Sequence, residues 1–532
     1  MKVEKHAHYS RRTMSEAERP AFYLTTAIAY PNGVPHIGHA YEYISADTLA
    51  RFKRLDGYDV FFMTGTDEHG QKVQQTAAAE GIPVEELAAR NSDVFEALDR
   101  ALDVSFDRFI RTTDADHKAA SVALWERMHA NGDIYLGNYS GWYSVRDEAF
   151  YTEEETTLLE DGSRISTETN TPVTWTEESN FFFKLSAYQD KLLALYEDHP
   201  EFIAPATRRN EIVSYVKAGL KDLSISRTTF DWGVPVPGHP DHVMYVWVDA
   251  LTNYLTGAGF PDTESAAFQR FWPADVHIIG KDITRFHTVY WPAFLLSAGI
   301  ELPKRVFVHG FLYNKGEKMS KSVGNVVDPI ALIDAYGLDA LRFFLLREIS
   351  YGQDGNYSHE AIVGRINSDL ANEFGNLVQR STKMVVRDCG GVVPTPGEFT
   401  EEDRALLDLA NGLLERCRAE FDVQHIHLAL EAIWLTLGET NRYFSAQAPW
   451  ALAKSGTEAD LAREATVLYV TLEVLRIVAI LVQPVMPGSA SKILDQLGQQ
   501  ARTFADIATP IVPGVTLPAP EPVYPKYIEP KN

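Results

Sequence analysis

Two histidines on either side of a glycine are the first residues of the chain that could do chemistry. Residues 35–39 read Pro-His-Ile-Gly-His, after an apolar, β-rich stretch (22–29) and just before a helical pattern. At the start of a helix the backbone amides and the helix dipole attract phosphate, and His36 and His39 would add donors on the same side. Gly38 has no Cβ and would let a base or ribose approach the backbone. The pattern predicts a nucleotide site, although two histidines with ordinary surface or core roles fit it equally well.

A second candidate is a lysine-rich loop about 280 residues further along the chain, where residues 315–322 read Lys-Gly-Glu-Lys-Met-Ser-Lys-Ser. Lys318 and Lys321, with Ser320 between them, could close over a polyphosphate and neutralise charge in a transition state. Taken alone, such a loop is usually a solvated basic turn. Chance becomes a poor explanation when both motifs occur in this order on a nucleotide-binding fold.

The elements around these motifs alternate between strand and helix, as in a parallel sheet. Strand patterns at 22–29 and 58–64 lead into helical patterns, and further strand patterns follow at 243–247, 276–280 and 306–309. Helix follows helix beyond 362, and the proline-rich end, 510–532, should run as an extended strap. The predicted segments are a polar extension (1–20), two sheet halves (21–132 and 241–309) around an inserted, partly β subdomain (133–240), the lysine-loop region (310–361), a helical bundle (362–505) and the strap (506–532).

Composition excludes several classes of protein. The 532 residues carry 49 Lys and Arg against 73 Asp and Glu, a formal charge of −24, which excludes a diffuse basic coat for nucleic acid but not a local RNA contact. The two cysteines, Cys389 and Cys417, are too few for a disulfide framework or a four-thiolate zinc knuckle, and suit a reducing cytosol. The most apolar run, 465–482, contains Glu473 and Arg476, each of which a bilayer centre would penalise by about 2.5–3.5 kcal/mol. That run therefore predicts a buried bundle helix and no membrane span.

With both motifs in place, the sequence resembles the class I aminoacyl-tRNA synthetases, whose paired signatures match 36–39 and 318–322. More narrowly, it is similar to the methionyl-tRNA synthetase family from about Tyr23 to about Val485. The resemblance implies an α/β, doubly wound, Rossmann-like parallel-sheet catalytic domain split by a connective insert, then a stem-contact region at 310–361 and an all-α anticodon-binding bundle. It also implies a methionine–tRNA ligase that activates L-methionine with ATP and Mg²⁺ and then charges tRNA(Met) for translation initiation and elongation. The residues it implies at ATP are His36, Gly38, His39, Gly280, Asp282, Lys318, Ser320 and Lys321, of which His36, His39, Lys318 and Lys321 would be catalytic.

A methionine pocket is implied by several further matches. Trp247, Ala250 and Tyr254 are three and four residues apart, so on a helix they share one face, although the pattern alone more often describes an ordinary core stripe. An aromatic wall suits a thioether, whose sulfur packs well against rings. The resemblance assigns these three residues, together with Ala29, Tyr30, Asp67, Phe286 and His287, to methionine, with Asp67 facing its ammonium group.

A third group lies in the predicted bundle. Asn376 and Arg380 are one helical turn apart, and Trp450 follows a proline. An amide, a guanidinium and an indole can hydrogen-bond and stack on an unpaired base, although ordinary surface and core roles are common for such residues. The resemblance implies that Asn376, Arg380 and Trp450 read the CAU anticodon.

The sequence also departs from the family. Many relatives carry cysteine zinc knuckles in the insert, whereas Ser144 and Asp147 stand at the corresponding positions here, so neither zinc nor any other metal site is predicted. Because the chain ends after the bundle and strap, without the dimerising domain of some relatives, we expect a monomer; related short forms suggest that the strap packs on the catalytic domain. With no secretory signal pattern at its start, the protein is expected in the cytoplasm. The rival hypotheses are a synthetase for leucine, isoleucine, valine or cysteine, a small nucleotidyltransferase, and a non-catalytic RNA-binding paralogue.

Overall fold

The structure, a computed structural model, describes residues 19–147, 149–319 and 325–529, without the side chains of residues 139, 178 and 318. The predicted N-terminal extension lies almost wholly outside these ranges. The first half of the central sheet and its helices are β1 (Ala21–Thr26), α1 (Ile37–Leu55), β2 (Asp59–Thr66), α2 (Gln71–Glu80), α3 (Val84–Ala101), β3 (Arg108–Arg111) and α4 (Ala115–Ala130). Strands and helices alternate here as the apolar runs predict, since strands of a parallel sheet are buried on both faces.

The insert follows α4 and is built mainly on a long antiparallel hairpin. Its elements are β4 (Ile134–Ser144), β5 (Ala149–Tyr151), β6 (Thr156–Leu158), β7 (Arg164–Ser166), β8 (Pro172–Phe183), α5 (Gln189–Asp198), β9 (Ile203–Ala204), α6 (Ala206–Lys217), β10 (Leu223–Ser224), β11 (Ser226–Arg227), β12 (Pro235–Val236) and β13 (His239–Met244). Strands β4 and β8 pair from Ile134 opposite Phe183 to Tyr143 opposite Thr174. One strand of this segment, β9, pairs in parallel with the central sheet instead, so the chain passes through the main sheet before the predicted second half begins.

The second half supplies α7 (Val246–Ala258), α8 (Ala266–Phe271), β14 (Val276–Gly280), α9 (Trp291–Ala298) and β15 (Val306–His309). The strand predicted at 243–247 is wrong, because Val243 and Met244 end the antiparallel strand β13 and Val246 already begins α7. Both buried strands and buried helices give short apolar runs, so the run alone could not separate them.

The central sheet is parallel, with the strand order β3-β2-β1-β14-β15-β9. From β1 the chain winds outward to β2 and β3 on one side, whereas β14 and β15 lie on the other side. Strand order therefore reverses between β1 and β14, and the carboxyl ends of these strands form the crevice in which open α/β sheets bind ligands. This arrangement confirms the predicted doubly wound fold.

The remaining elements begin with β16 (Leu312–Asn314), β17 (Glu317–Lys318), α10 (Pro329–Tyr336), α11 (Leu338–Glu348), β18 (Gly355–Tyr357) and α12 (His359–Arg365). The bundle, entered through a π-helical segment (Ile366–Gly375), contains α13 (Asn376–Asp388), α14 (Glu401–Asn411), α15 (Leu413–Asp422), α16 (Ile426–Gln447), α17 (Pro449–Ser455), α18 (Glu458–Val482) and α19 (Pro487–Gln496). Bundle and sheet share one apolar core, and the ring of Phe52 on α1 stacks on Phe421 of α15 with centroids 3.9 Å apart. The predicted all-α bundle is confirmed.

Helix α18 is long and apolar enough to cross a membrane by composition, but its most apolar window is 94% buried inside the protein. Its charged residues satisfy each other, since Arg476 donates to both carboxylate oxygens of Glu473 at 2.7 and 2.8 Å. Glu473 also accepts the backbone N–H of Ile511 at 2.8 Å. Buried charges are tolerated when they are paired in this way, so α18 is the core helix of the bundle, as predicted.

The terminal strap is extended, as its prolines predict, and its end lies along the bundle and the 310–361 region. Tyr527 donates its backbone N–H to Asn367 at 2.8 Å, and its ring lies 5.4 Å from that of Tyr336. Gln496 at the end of α19 donates to the carbonyl of Glu521 at 2.9 Å. These contacts place the strap against the bundle and the 310–361 region, where its tyrosine rings pack on Tyr336 and Phe374.

Candidate active site

A cavity of about 880 Å³ opens at the carboxyl edge of the central sheet, where the strand order reverses. It brings together most residues that the sequence singles out. From the first half it is lined by Ala29, Tyr30, His36, Gly38, His39 and Asp67. From the second half it is lined by Trp247, Ala250, Tyr254, Gly280, Asp282 and His287. Residues more than 200 positions apart in the sequence thus face one space, as expected for a site at a topological switch point.

His36 and His39 are fixed by the start of helix α1. His36 is the N-cap residue, and its Nδ1 accepts the backbone N–H of Gly38 at 3.0 Å. In return, Nδ1 of His39 accepts the backbone N–H of His36 at 3.1 Å. Because Nδ1 is the acceptor in both neutral rings, each carries its proton on Nε2, which can donate to a ligand in the cavity. Burial and the neighbouring His36 lower the pKa of His39 to about 3, so its ring stays neutral at physiological pH.

Gly38 is required by this packing. A Cβ at position 38 would lie 2.8 Å from Cε1 and 2.9 Å from Nδ1 of His36. Real side chains do not approach so closely, so any larger residue would push the His36 ring out of its capping position. The glycine therefore holds the first histidine in place as well as leaving the backbone accessible.

The aromatic wall predicted for the amino acid is formed largely by α7 and the π-helical turn Phe286–Tyr290. The rings of Trp247 and Phe286 stack at 3.8 Å with an angle of 5°, and Trp247 meets His287 edge-on at 6.0 Å. Trp247 lines the cavity whereas Phe286 does not. Phe286 therefore supports the indole from behind and does not face the cavity with Trp247, Ala250 and Tyr254.

His287 is held in one tautomer by two hydrogen bonds. Its Nδ1–H donates to the carbonyl of Ile283 at 3.0 Å, and its Nε2 accepts the hydroxyl of Tyr254 at 2.7 Å. Burial lowers the pKa of His287 to about 4, whereas burial raises that of Tyr254 well above its usual value. Both groups are consequently neutral, so this wall of the cavity presents aromatic and aliphatic surface without charge.

Ala29 and Asp67 lie beside each other where β1 and β2 end. Asp67 donates its backbone N–H to the carbonyl of Ala29 at 2.8 Å, and Ala29 donates to Gly65 at 2.9 Å. Gly65 has no room for a side chain, since a Cβ there would lie 1.9 Å from the carbonyl oxygen of Ile110. The Asp67 carboxylate is buried and lines the cavity, where it can bind a cationic group.

Gly280 ends strand β14, Asp282 lies in the short 3₁₀ turn that follows, and both line the cavity. The cavity is also lined by Glu42 and His309, which sequence reasoning missed. Nε2 of His309 lies 2.8 Å from a carboxylate oxygen of Glu42, whose other oxygen accepts the backbone N–H of Ala27 at 3.0 Å. Two signals could have found them, because Glu42 lies one turn after His39 on α1, and His309 ends a strand just as Gly280 does.

The lysine loop reaches the cavity at its edges. Met319, within this loop, and Val326, a few residues after it, line the cavity. Ser320 and Lys321 lie outside the described residues, as does the side chain of Lys318. Their predicted roles therefore rest on the sequence motif.

Comparison with known proteins identifies the family. The family "tRNA synthetases class I (M)" matches residues 22–159 and 154–382, and the "Anticodon binding domain of methionyl tRNA ligase" matches residues 393–531. The chain belongs to the methionyl-tRNA synthetases. Methionine–tRNA ligases from Mycobacterium bovis and Brucella suis are 68% and 61% identical to it, each over 96% of this chain and 98% and 99% of their own lengths.

Solved structures agree with this assignment. Mycobacterium tuberculosis methionyl-tRNA synthetase bound by methionyl-adenylate superposes with a TM-score of 0.93 at 67% identity, covering 95% of this chain and 100% of that one. The apo form of the same relative gives a TM-score of 0.88 at 63% identity, over 96% of this chain and 99% of its own. As a methionyl-tRNA synthetase, this enzyme catalyses the two-step aminoacylation of its family, which confirms the predicted ligase.

The residues predicted at the anticodon cluster together in the bundle of this methionyl-tRNA synthetase. Arg380 on α13 lies 5.3 Å from the ring of Phe444, and that ring lies 6.0 Å from Trp450. Nη2 of Arg380 donates to Asn441 at 3.2 Å, while its Nε is buried with no hydrogen-bond partner in the part of the chain that the structure describes. Asn376 is exposed one turn away, and Trp450 is 46% exposed, so an amide, a guanidinium and an indole are open to a ligand.

In the insert, hydroxyl groups surround the carboxylate of Asp147, at one of the two positions where many relatives carry a zinc-binding cysteine. Asp147 accepts the hydroxyls of Tyr151 at 2.9 Å and of Thr169 at 2.5 Å, and it also accepts that of Thr171. The hydroxyl of Ser144 is 2.9 Å from that of Thr171. Among the described residues there is no cluster of three or more His, Cys, Asp or Glu side chains that could hold a metal ion.

Proposed function

We propose that the cavity residues named above carry the first step, the formation of methionyl-adenylate from methionine and Mg-ATP. Asp67 binds the ammonium group of methionine, and its thioether packs against Trp247, Ala250, Tyr254 and His287. What supports this assignment is the geometry of the cavity, in which a buried carboxylate and an uncharged aromatic wall lie together at the strand-order reversal. One ligand with a cationic end and an apolar end fits both.

The adenosine and phosphates of ATP lie on the other side of the same cavity. Gly280 and Asp282 contact the ribose. The Nε2–H groups of His36 and His39 face the phosphates at the start of α1, and Gly38, which has no side chain, lets the nucleotide approach the backbone. The methionine carboxylate attacks the α-phosphorus in line, and pyrophosphate leaves. An ionised carboxylate needs no general base, so catalysis consists of positioning and of stabilising the charge on the phosphate oxygens, to which Lys318, Ser320 and Lys321 contribute.

In the second step the terminal ribose hydroxyl of tRNA attacks the carbonyl carbon of the adenylate, and AMP leaves. The tRNA is chosen at the bundle, where Asn376, Arg380 and Trp450 bind the bases of a CAU anticodon. Support comes from the exposed Trp450 and from the buried Arg380 Nε, which lacks a partner among the described residues.

The enzyme acts as a monomer in the cytoplasm, with Mg²⁺ entering only as part of the ATP substrate. The unpaired cysteines, Cys389 and Cys417, fit a reducing compartment.

The decisive variant for the first step is Lys321→Ala, measured by pre-steady-state formation of methionyl-adenylate. We expect activation to slow by about two orders of magnitude or more while the dissociation constant for methionine is nearly unchanged, because the lysine acts on transition-state charge. Lys315→Ala is the matched control in the same loop. If Lys321→Ala activated methionine as fast as the control, the assignment of this lysine would be wrong.

A further inference from the structure

A buried cluster of three ionisable side chains lies behind the amino-acid end of the cavity. Asp249 on α7 contacts Nδ1 of His69 at 2.6 Å with one carboxylate oxygen and Nε2 of His117 at 2.8 Å with the other. All three side chains are at most 2% exposed. None of them lines the cavity, so they do not contact a ligand there.

The cluster joins three segments that are distant in sequence. His69 follows β2 and is two residues after Asp67, His117 lies in the first turn of α4, and Asp249 lies in the first turn of α7. Helix α7 carries Trp247 and Ala250 on either side of Asp249. One carboxylate thus connects the loop that holds the ammonium-binding residue to the helix that forms the aromatic wall.

The other neighbours of this loop fix it from the opposite side. Glu68, between Asp67 and His69, accepts Nε of Arg111 at 2.5 Å and the hydroxyl of Thr113 at 2.6 Å, next to β3. Its carbonyl accepts the indole N–H of Trp232 at 2.6 Å. The loop is therefore anchored to the sheet through Glu68 and to α7 through His69, which leaves Asp67 little freedom to move.

Hydrogen-bond geometry defines the role of each atom. Both histidines donate to Asp249, His69 through Nδ1–H and His117 through Nε2–H. Nδ1 of His117 lies 3.1 Å from the hydroxyl of Thr256. That hydroxyl can donate to Nδ1, or it can donate to the carbonyl of Thr252 at 3.1 Å and accept a hydrogen bond from Nδ1–H. Burial alone would raise the pKa of Asp249, but its interactions with His69 and His117 outweigh burial and keep that pKa below its usual range.

We propose that Asp249 is a positioning residue for the amino acid, which sets the separation between Asp67 and the aromatic wall through its bonds to His69 and His117. The inference rests on the proposed methionine pocket. Asp249 acts by geometry, not by its charge. Loss of its bonds lets the loop and α7 move apart, which weakens methionine binding and leaves the ATP side of the cavity unchanged.

The test compares Asp249→Ala with Asp249→Asn in methionine-dependent ATP–pyrophosphate exchange, with equilibrium dialysis of methionine as a second readout. The asparagine can keep both bonds. Its oxygen accepts from Nδ1–H of His69, and its NH₂ group donates to Nε2 of His117. For the second bond the His117 proton moves to Nδ1, where the hydroxyl of Thr256 accepts a hydrogen bond from it. We expect Asp249→Ala to raise KM for methionine about ten-fold or more, with KM for ATP within about two-fold of wild type, and Asp249→Asn to stay within about three-fold.

A control separates positioning from general loss of stability. Asp403 is an equally buried carboxylate in the bundle, bonded to Tyr443 and Arg463. Asp403→Ala should lower the melting temperature without raising KM for methionine. If Asp249→Ala does not fold, His69→Ala serves in its place, because it breaks the link to Asp67 and leaves Asp249 bonded to His117.

An unchanged KM for methionine in Asp249→Ala or His69→Ala would overturn the proposal, as would equal changes in both KM values. Asp249→Asn as impaired as Asp249→Ala would also overturn it, by showing that charge acts instead of geometry. Failure of the proposed pocket is a different result, in which the wild-type enzyme itself shows no methionine-dependent exchange.

Discussion

Single residues at the start of α1 show how tightly the first motif is packed. Gly38 lies against the ring of His36, and both histidines are bonded to backbone N–H groups of the same turn. The sequence predicts a glycine for access to the backbone, whereas the structure adds a second reason, which is the space that the His36 ring occupies.

We expect Gly38→Ala to slow adenylate formation about ten-fold or more, because the new Cβ displaces His36 from its capping position. The dissociation constant for methionine should change little, since the aromatic wall is not touched. Stopped-flow activation assays measure both quantities. Gly364→Ala is the control, because a Cβ there meets nothing within 4 Å; equal rates in the two variants would contradict this account of Gly38.

His287 makes stability depend on pH in a defined direction. Its pKa is lowered by burial from 6.5 to about 4, so below pH 6.5 the unfolded chain binds a proton that the folded protein does not. The free energy of unfolding should therefore fall as the pH drops from about 6.5 towards 4, by about 3 kcal/mol from this group.

Urea unfolding of wild type and His287→Gln between pH 7 and pH 4.5 measures this effect. The variant should lose less stability on acidification than the wild type, so that the two curves converge at low pH. Buried histidines whose pKa does not depend on His287, such as His39, contribute equally to both proteins and cancel in the difference. Parallel curves would show that His287 does not titrate as its burial requires.

Sequence alone predicted the cavity residues that belong to recognisable motifs, but it missed Glu42 and His309, which also line the cavity, and Asp249, which lies behind it. Glu42 and His309 have only weak signals, one helical turn after His39 and the end of a strand, and Asp249 lies in a helical pattern that is also typical of core residues. Their side-chain partners are far away in the sequence: His309 meets Glu42 across 267 residues, and Asp249 meets His69 across 180. Long-range pairs of this kind require the fold itself.

At the scale of elements, the turn between β4 and β5 is held together by hydrogen bonds where many related enzymes use zinc-binding cysteines. Three hydroxyl groups converge on the carboxylate of Asp147, and hydrogen bonds to a charged acceptor are among the stronger ones in proteins. The sequence indicated that cysteines were missing, but it could not show which side chains replace them, because the donors come from residues 151, 169 and 171.

We expect Asp147→Ala to reduce the local stability of the hairpin by about 2 kcal/mol, seen as faster amide hydrogen exchange in β4 and β8. Asp161→Ala is the control, since Asp161 is exposed in the same insert and bonds only its neighbour Ser163 among the described residues. A zinc chelator should leave the melting temperature of the wild type unchanged. A fall in that temperature on chelation would mean that the turn depends on a metal.

Boundaries between elements were harder to predict than the elements themselves. Parallel-sheet strands and buried helices both give short apolar runs. The run at 243–247 therefore predicts a strand of the main sheet, whereas α7 begins at Val246. Strand β9 is only two residues long and lies within the insert, so no period could reveal that it pairs with β15. Long amphipathic helices such as α16 and α18 were predictable because their pattern extends over many turns.

On the scale of the whole molecule, activation of the amino acid and selection of the tRNA are proposed to lie in two different regions. The proposed function assigns amino-acid activation to the cavity of the sheet domain and tRNA choice to the cluster of Arg380, Phe444 and Trp450 in the bundle. The regions share one core, and the buried ion pair of Arg342 with Asp47 at 2.5 Å joins α11 to α1. Variants in one region should nevertheless affect only one of the two reactions.

Trp450→Ala should leave methionine activation unchanged and weaken charging of tRNA(Met) by about 1–3 kcal/mol, the usual effect of losing one stacked base. The measurement is kcat/KM for tRNA in aminoacylation, beside exchange activity without tRNA. Trp450→Phe keeps an aromatic face and should recover most of the loss. Unaffected charging of native tRNA by Trp450→Ala would remove this residue from the anticodon site.

The most direct test of the central claim is amino-acid-dependent ATP–pyrophosphate exchange on the purified protein without tRNA. Methionine, leucine, isoleucine, valine and cysteine are compared at equal concentrations. The account predicts exchange with methionine and none above background with the other four, because the uncharged wall of Trp247, Tyr254 and His287 fits an unbranched thioether. Exchange driven by another amino acid would contradict the pocket assignment, and absence of exchange with methionine would contradict the activation of methionine itself.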